Sequence, residues 1–130
     1  MSRISARENL MQMVFSYNFE KQCNFDEDEF LENKNLTEED KEYINKNFEG
    51  IKLHYDEIVK LIEDNLINYK LDRICKTDLA ILVASIYQIK YLNEPIKIVI
   101  NEAVDLSKKY SLDNSYKFVN GLLAKVIDAV

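Results

Sequence analysis

The segment Leu79–Ile89 has the sequence LAILVASIYQI, in which Ser85 and Gln88 are the clearly polar residues. A helix that is apolar on all sides is typical of the buried centre of a helical protein. We therefore expect a central helix here, capped at its start by Thr77 or Asp78. The apolar run is far shorter than the roughly 20 residues of a membrane-spanning helix, so no membrane span is expected.

Apolar residues recur with helical spacing on the N-terminal side of this segment and predict two more helices. The first starts at a capping box that includes Ser5, or one turn earlier with Ser2 as the cap, and ends near Lys21. The second starts at Thr37, a favourable N-cap residue, and continues past a kink between residues 53 and 56. Gly50 costs this helix about 1 kcal/mol relative to Ala, which indicates either close packing or the bend itself.

The sequence on the C-terminal side predicts two helices, although the first of them also has a strand-like segment. Residues 96–100 alternate as in a β-strand, but the apolar spacing continues to Tyr110, too far for a typical strand. We therefore expect a helix that begins at Pro95, followed by a last helix capped by Asp113. The acidic residues 24–35 are expected to form a short helix and a connector. The chain is thus predicted to be all-α, with six to seven helices.

The composition argues against most catalytic and metal sites. Apolar residues make up 47% of the chain, with 2 Gly and 1 Pro, which argues against disorder and turn-rich β folds. Two glycines cannot form a glycine-rich phosphate loop. Cys23, Cys75 and His54 are one ligand short of a structural zinc site. We expect no enzyme activity, cofactor, metal or small-molecule substrate, and the lack of an apolar secretion signal predicts a cytoplasmic protein.

The charge is divided unevenly along the chain. The formal net charge of −6 would as a whole repel a polyanion. Residues 1–65 contain 8 basic and 16 acidic groups, whereas residues 66–130 contain 9 basic and 7 acidic groups. A nucleic acid would therefore need a local patch, and the C-terminal half is the better place for one.

Two groups of residues have the chemistry to contact RNA. Arg3 and Arg7 lie one helical turn apart, and guanidinium groups match phosphate oxygens and stack on bases. Solvated charges at a helix start are the simpler interpretation of this pair. Tyr116, Lys117 and Phe118 place two rings beside a cation at a helix start, which suits base stacking next to a phosphate. Partial burial of Phe118 in the core is the alternative. The lysines that would complete this patch are Lys97, Lys108 and Lys109.

Four stretches, in order, resemble the NusB family. The two most specific are Pro95–Leu106, which contains NEA at Asn101–Ala103, and Asp113–Leu122, which contains KFVNG at Lys117–Gly121. The others are Ser2-Arg3 with Ala6–Glu8, and Leu71–Ile74 leading to Asp78–Leu82 and Tyr87. Together the stretches extend over almost the whole chain.

The resemblance implies a single all-α domain of two packed helical bundles, at about residues 1–70 and 71–130. It also implies a non-catalytic transcription antitermination factor that binds the single-stranded boxA sequence of ribosomal RNA leader transcripts. Members of the family do so with NusE, a small-subunit ribosomal protein, and the assembly then joins RNA polymerase.

The family's functional residues match positions of two kinds in this chain. The residues implied as RNA contacts are Arg7, Lys117 and Phe118. The supporting candidates are Arg3, Lys97 and Tyr116. The residues implied as contacts of the protein partner are Phe15, Asp72 and Asp78.

Three positions depart from the family pattern. Ile4 interrupts a basic run and so shrinks the N-terminal patch. Asn114 stands where an acidic residue is frequent, which removes a repulsion for phosphate. Phe15 replaces a common Tyr and lacks the hydroxyl for a hydrogen bond to a partner.

Two other functions fit the same pattern. An acidic N-terminal half suits an adaptor that docks on a basic protein without RNA selectivity. NusB-like domains also recruit RNA for RNA methyltransferases, but this chain stops at Val130 without a methyltransferase segment.

Overall fold

The computed structural model describes residues 3–20, 37–66 and 70–129. They form five α-helices, which are α1 (Arg3–Glu20), α2 (Glu38–Asp64), α3 (Lys76–Lys90), α4 (Ile96–Tyr110) and α5 (Ser115–Ala129). A short 3-10 helix, Leu71–Arg73, lies between α2 and α3, and the described ranges contain no β-strand. The all-α prediction is confirmed. No helix in these ranges combines the length and apolar character needed to cross a membrane.

Helix α3 lies at the centre of the fold, as its apolar sequence predicts. Every residue from Asp78 to Gln88 is buried, and α3 packs against α1, α2, α4 and α5. Burial of each large apolar side chain contributes about 1.5–3 kcal/mol, so this helix supplies much of the driving force for folding. The predicted cap at Thr77 or Asp78 is wrong. The helix begins at Lys76 after Cys75, which makes no side-chain capping bond.

The described helices share one hydrophobic core, so the predicted six to seven helices in two bundles are matched only in part, and the division near residue 70 stays a prediction. Buried apolar residues from all five helices form a single cluster. Because α3 is apolar all round, it joins α1 and α2 on one side to α4 and α5 on the other. Five α-helices are described where six to seven were predicted, and the short helix expected within residues 24–35 lies outside the described residues.

Two predicted helix starts have different outcomes. The Thr37 hydroxyl accepts a hydrogen bond from the Asp40 N–H (3.1 Å), and the Asp40 carboxylate accepts one from the Thr37 N–H (3.4 Å). This capping box contributes about 1 kcal/mol and fixes the start of α2, which then runs without interruption through residues 53–56. By contrast, α1 begins at Arg3, so Ser5 lies within the helix rather than at its cap.

Gly50 lets α2 and α3 pack closely together. A Cβ atom at this position would lie 1.8 Å from the hydroxyl oxygen of Tyr87. Tyr87 is buried, and its ring stacks on that of Tyr91 with centroids 5.5 Å apart, so it has little room to move away. Close packing, rather than a bend, therefore explains this glycine.

We expect Gly50→Ala to lower the free energy of unfolding by about 1–2 kcal/mol, because overpacking against Tyr87 outweighs the better helix propensity of Ala. Denaturant unfolding followed by circular dichroism measures this. Gly121→Ala is the matched control and should stabilise the protein, since its Cβ meets nothing within 4 Å. In a Tyr87→Leu background the cost of Gly50→Ala should largely vanish. An unchanged cost there would show that the contact with Tyr87 is not the cause.

Candidate nucleic-acid interface

Residues 116–118 lie in the first turn of α5, directly after a tight turn. This turn is closed by a hydrogen bond from the Ser115 N–H to the Leu112 carbonyl (3.0 Å). Asn114 has a φ of 72°, in the left-handed region that Asn tolerates better than most residues. The helix therefore begins directly after Asn114 and not after Asp113, the predicted cap. The left-handed backbone therefore favours Asn at position 114, in addition to the absence of a negative charge that would repel phosphate.

The ring of Phe118 separates two recesses on the surface. The side chain is half-buried and packs against the core, so the predicted alternative of core burial holds in part. Its ring also lines both recesses. An aromatic ring that is anchored in the core and still faces a recess is a suitable platform for stacking a base.

The first recess, here named the Gly121 recess, has a volume of about 220 Å³. Asn65 and Leu66, at the end of α2, form one side of it. Helix α5 forms the other side, with Lys117, Gly121 and Lys125 on one face. Both lysines are exposed, so the recess has an apolar wall and a basic rim.

The second recess, here named the Leu112 recess, has a volume of about 390 Å³ and lies on the other side of Phe118. The turn before α5, which contains Leu112, forms one side, and Arg73 to Cys75 contribute the other. Leu112, which is 68% exposed, and the exposed Arg73 both line this recess.

Tyr116 and the end of α4 form a basic and aromatic cluster beside these recesses. The Lys108 Nζ atom lies 4.8 Å from the centroid of the Tyr116 ring, a cation–π contact. Lys109 forms a salt bridge with Glu8 (3.0 Å), which brings the start of α1 to the end of α4. Burial acts to raise the pKa of Glu8, but hydrogen bonds with Tyr110 and Lys109 outweigh it and lower the pKa. Glu8 thus stays ionised at neutral pH and keeps Lys109 engaged.

Lys97 is exposed but does not join this cluster. It lies at the start of α4, about 16 Å along the helix axis from Lys108 by the usual helical rise. The predicted patch is therefore divided, because α4 and α5 form a hairpin with Lys97 and Phe118 toward opposite ends.

Arg7 is buried, and its guanidinium group is held by two carboxylates. It forms salt bridges with Glu94 and Glu102, whose side chains are only 17% exposed. Burial acts to lower the pKa of Arg7, but the hydrogen bonds to Glu102 and Glu94 outweigh it and raise the pKa above its usual value. The role of Arg7 as an RNA contact stays a prediction. Such a contact would require its guanidinium group to leave both Glu94 and Glu102. Arg3, the other predicted arginine, is the first residue of α1.

The Arg7 ion pair belongs to a polar network between four elements. The Tyr43 hydroxyl donates to Glu94 (2.8 Å) and accepts from the Gln88 amide (3.2 Å). Gln88 also donates to the Asn47 side chain (3.3 Å). Burial, followed by the hydrogen bond to Glu94, raises the pKa of Tyr43 to about 12. The network ties α1, α2, α3, the segment before α4 and the middle of α4 together.

The three residues predicted to contact a protein partner lie in different environments. Phe15 is half-buried on α1, and Asp72 is exposed in the 3-10 helix. Asp78 is only 3% exposed and accepts a hydrogen bond from the Ser107 hydroxyl (3.3 Å). Of the two acids, Asp72 is therefore the accessible one.

Sequence reasoning missed two basic residues of this surface, Arg73 and Lys125. A signal existed for Lys125, because Lys117, Gly121 and Lys125 are four residues apart and therefore share one helix face. None existed for the part of each recess contributed by α2 and by the segment before α3. Among the described residues, no three His, Cys, Asp or Glu side chains are placed to hold a metal ion.

Comparisons with known proteins agree on one family. The sequence model of the NusB family matches residues 4–128. The chain is 42% identical over 134 aligned positions to the transcription antitermination protein NusB of Clostridium novyi (strain NT), with 99% of this chain and 100% of that protein covered. It is 40% identical to the protein of the same name from Agathobacter rectalis, with 96% and 98% covered. A crystal structure of antitermination factors NusB and NusE with double-stranded RNA matches with a TM-score of 0.88 and 27% identity, over 100% of both chains.

Proposed function

This chain belongs to the NusB family, and we propose that it is a transcription antitermination factor that binds RNA together with NusE. We further propose that its RNA is the single-stranded boxA sequence of ribosomal RNA leader transcripts. The protein–RNA assembly would act on RNA polymerase, and the chain itself would carry out no catalytic step.

The observation that carries the RNA-binding proposal is the position of Phe118. Its ring is anchored in the core and lines both recesses, while the exposed Lys117 precedes it on the same helical turn. Base stacking on such a ring is worth about 1–3 kcal/mol per base, and an adjacent cation attracts the backbone phosphates. A relative of similar fold, matched over 100% of its chain, is known in a complex with NusE and double-stranded RNA, which supports NusE and RNA as the kinds of partner proposed here.

The proposed contacts differ in how directly they can reach RNA. Lys117, Phe118 and Tyr116 form the centre of the proposed surface. Arg3, the first residue of α1, and Lys97, at the far end of α4 from Lys108, remain supporting candidates. The reason for a partner is electrostatic, because a chain with a net charge of −6 and a small basic patch binds a polyanion weakly by itself. Phe15 and Asp72 are the accessible candidates for contact with NusE.

The test is RNA binding with and without purified NusE, using a boxA-like oligonucleotide, a scrambled one of equal length and a duplex. We expect the NusE complex to bind the boxA-like strand at least about tenfold more tightly than the scrambled strand, a difference of about 1.4 kcal/mol. Affinity should fall with added salt, by about 0.7 log units per tenfold salt for each phosphate contacted.

Equal affinity for all three RNAs would contradict the boxA proposal. NusE binding without RNA selectivity, even in the complex, would instead favour the adaptor function, in which the acidic N-terminal half docks on a basic protein.

A further inference from the structure

Gly121 is a glycine that the fold itself does not explain. It lies within α5, where glycine destabilises a helix relative to alanine. A Cβ atom at Gly50 would collide with Tyr87, but one at Gly121 would meet nothing within 4 Å. Neither close packing nor a positive φ angle requires glycine at this position. The missing side chain instead leaves open space in the Gly121 recess, of which Gly121 is a lining residue.

The surroundings of Gly121 match the chemistry of a nucleotide. Lys117 and Lys125 lie one turn before and one turn after it, about 12 Å apart along the helix axis. Phe118 and Leu66 supply apolar surface, and the Asn65 side-chain amide is fixed by a hydrogen bond to the Leu61 carbonyl (2.8 Å). The volume of about 220 Å³ is below the roughly 300 Å³ at which sites for drug-sized molecules begin, which suits one aromatic ring system.

We propose that the Gly121 recess receives one nucleobase of the bound single-stranded RNA, with Lys117 and Lys125 on the flanking phosphates. The proposal rests on the RNA-binding function proposed above and adds a position at which a single base enters the protein surface. Bases of single-stranded RNA are free to turn out of the strand and stack on aromatic side chains, whereas those of a duplex are held in pairs. A glycine between the two lysines lets the ribose and base approach the helix backbone closely.

The decisive variant is Gly121→Ala, because the proposal predicts opposite effects on stability and on binding. The melting temperature should rise by about 3–5 °C from the better helix propensity. The affinity of the NusE complex for the boxA-like strand should nevertheless fall tenfold or more. Asn120→Ala, at the neighbouring exposed position, is the control and should leave the affinity within about twofold.

A second measurement identifies what occupies the recess. Abasic sites are introduced one at a time along the oligonucleotide, and one position should weaken binding to the unaltered protein. That same abasic site should cause little further loss with Gly121→Ala, which is the coupling expected of groups in contact. Lys125→Gln should also weaken binding, whereas Lys90→Gln, an exposed lysine on α3, should not.

The outcomes separate this proposal from the function on which it rests. If the unaltered complex binds RNA selectively but Gly121→Ala binds it equally well, the recess is not a base site and the RNA-binding function stands. If Gly121→Ala weakens NusE binding without RNA, the recess contacts the protein partner and the base proposal is overturned. If the unaltered complex shows no selective binding at all, the proposed function itself fails.

Discussion

Replacing Arg7 by methionine is expected to lower the free energy of unfolding by about 2–4 kcal/mol. The guanidinium group holds Glu94 and Glu102 together in a largely buried site, and methionine would leave two carboxylates facing each other without a cation. Breaking a fully buried pair costs about 3–5 kcal/mol, and the 17% exposure of each carboxylate places the expected value somewhat lower. Chemical denaturation at neutral pH measures the effect.

A compensated variant tests the physical cause. Arg7→Met combined with Glu94→Gln and Glu102→Gln removes the cation and both anions, so most of the lost stability should return. If the triple variant is as unstable as Arg7→Met, packing of the arginine stem rather than charge explains the loss. The charge-conserving Arg7→Lys should fall in between, because an ammonium group cannot bind both carboxylates with the same planar geometry.

The triple variant also tests Arg7 as an RNA contact. It lacks the guanidinium group but keeps the charges around the site balanced. If Arg7 acts only by holding α1 against α4, the folded triple variant should bind RNA within about threefold of the unaltered protein. A loss of tenfold or more at a temperature where it is fully folded would show that Arg7 contacts RNA directly.

Replacing Phe118 by leucine is expected to weaken binding of the boxA-like strand by about 5- to 150-fold. This range corresponds to the loss of about 1–3 kcal/mol of stacking on an aromatic ring. Leucine keeps an apolar group against the core, so the fold should survive with a small decrease in stability. Titration of a fluorescent oligonucleotide with the NusE complex measures the affinity, and circular dichroism checks the helical content.

Two comparisons make the Phe118 result specific. Tyr91→Leu removes another half-buried ring. Tyr91 lies at the C-terminal end of α3, whereas the Leu112 recess lies at its N-terminal end, so this variant should not change the affinity for RNA. Lys117→Gln removes one phosphate contact, so the slope of log affinity against log salt concentration should become less steep by about 0.7. Phe118→Leu should leave that slope unchanged. Unaltered binding by Phe118→Leu would place the RNA elsewhere on the protein.

The helical architecture could be predicted from the sequence because burial leaves a periodic trace in the chain. The apolar segment Leu79–Ile89 identified the central helix, and Thr37 with Asp40 marked the start of α2. Predictions of single caps were less successful. Ser5, Thr77 and Asp113 are suitable residue types, but similar polar residues lie beside them, and packing of the whole helix decides where the first turn begins.

The candidate site likewise contains some residues whose chemistry the sequence reveals and others whose role it does not. Tyr116, Lys117 and Phe118 are adjacent in the chain, so their chemistry was visible as a local motif. The role of Arg7 was not visible, because its partners Glu94 and Glu102 are 87 and 95 residues away. An arginine near a helix start has the same local sequence whether it faces solvent or two carboxylates.

By itself, the sequence determined that the chain is all-α, that one helix is buried at its centre, and that an aromatic and basic motif begins the last helix. The tertiary structure alone decided that all described helices share one core, that Gly50 is needed against Tyr87, and that Gly121 opens a recess instead. The physical reason is that helical periodicity reports which face of a helix is buried but not which helix covers it. The two glycines look alike in sequence, and only the neighbouring helix distinguishes them.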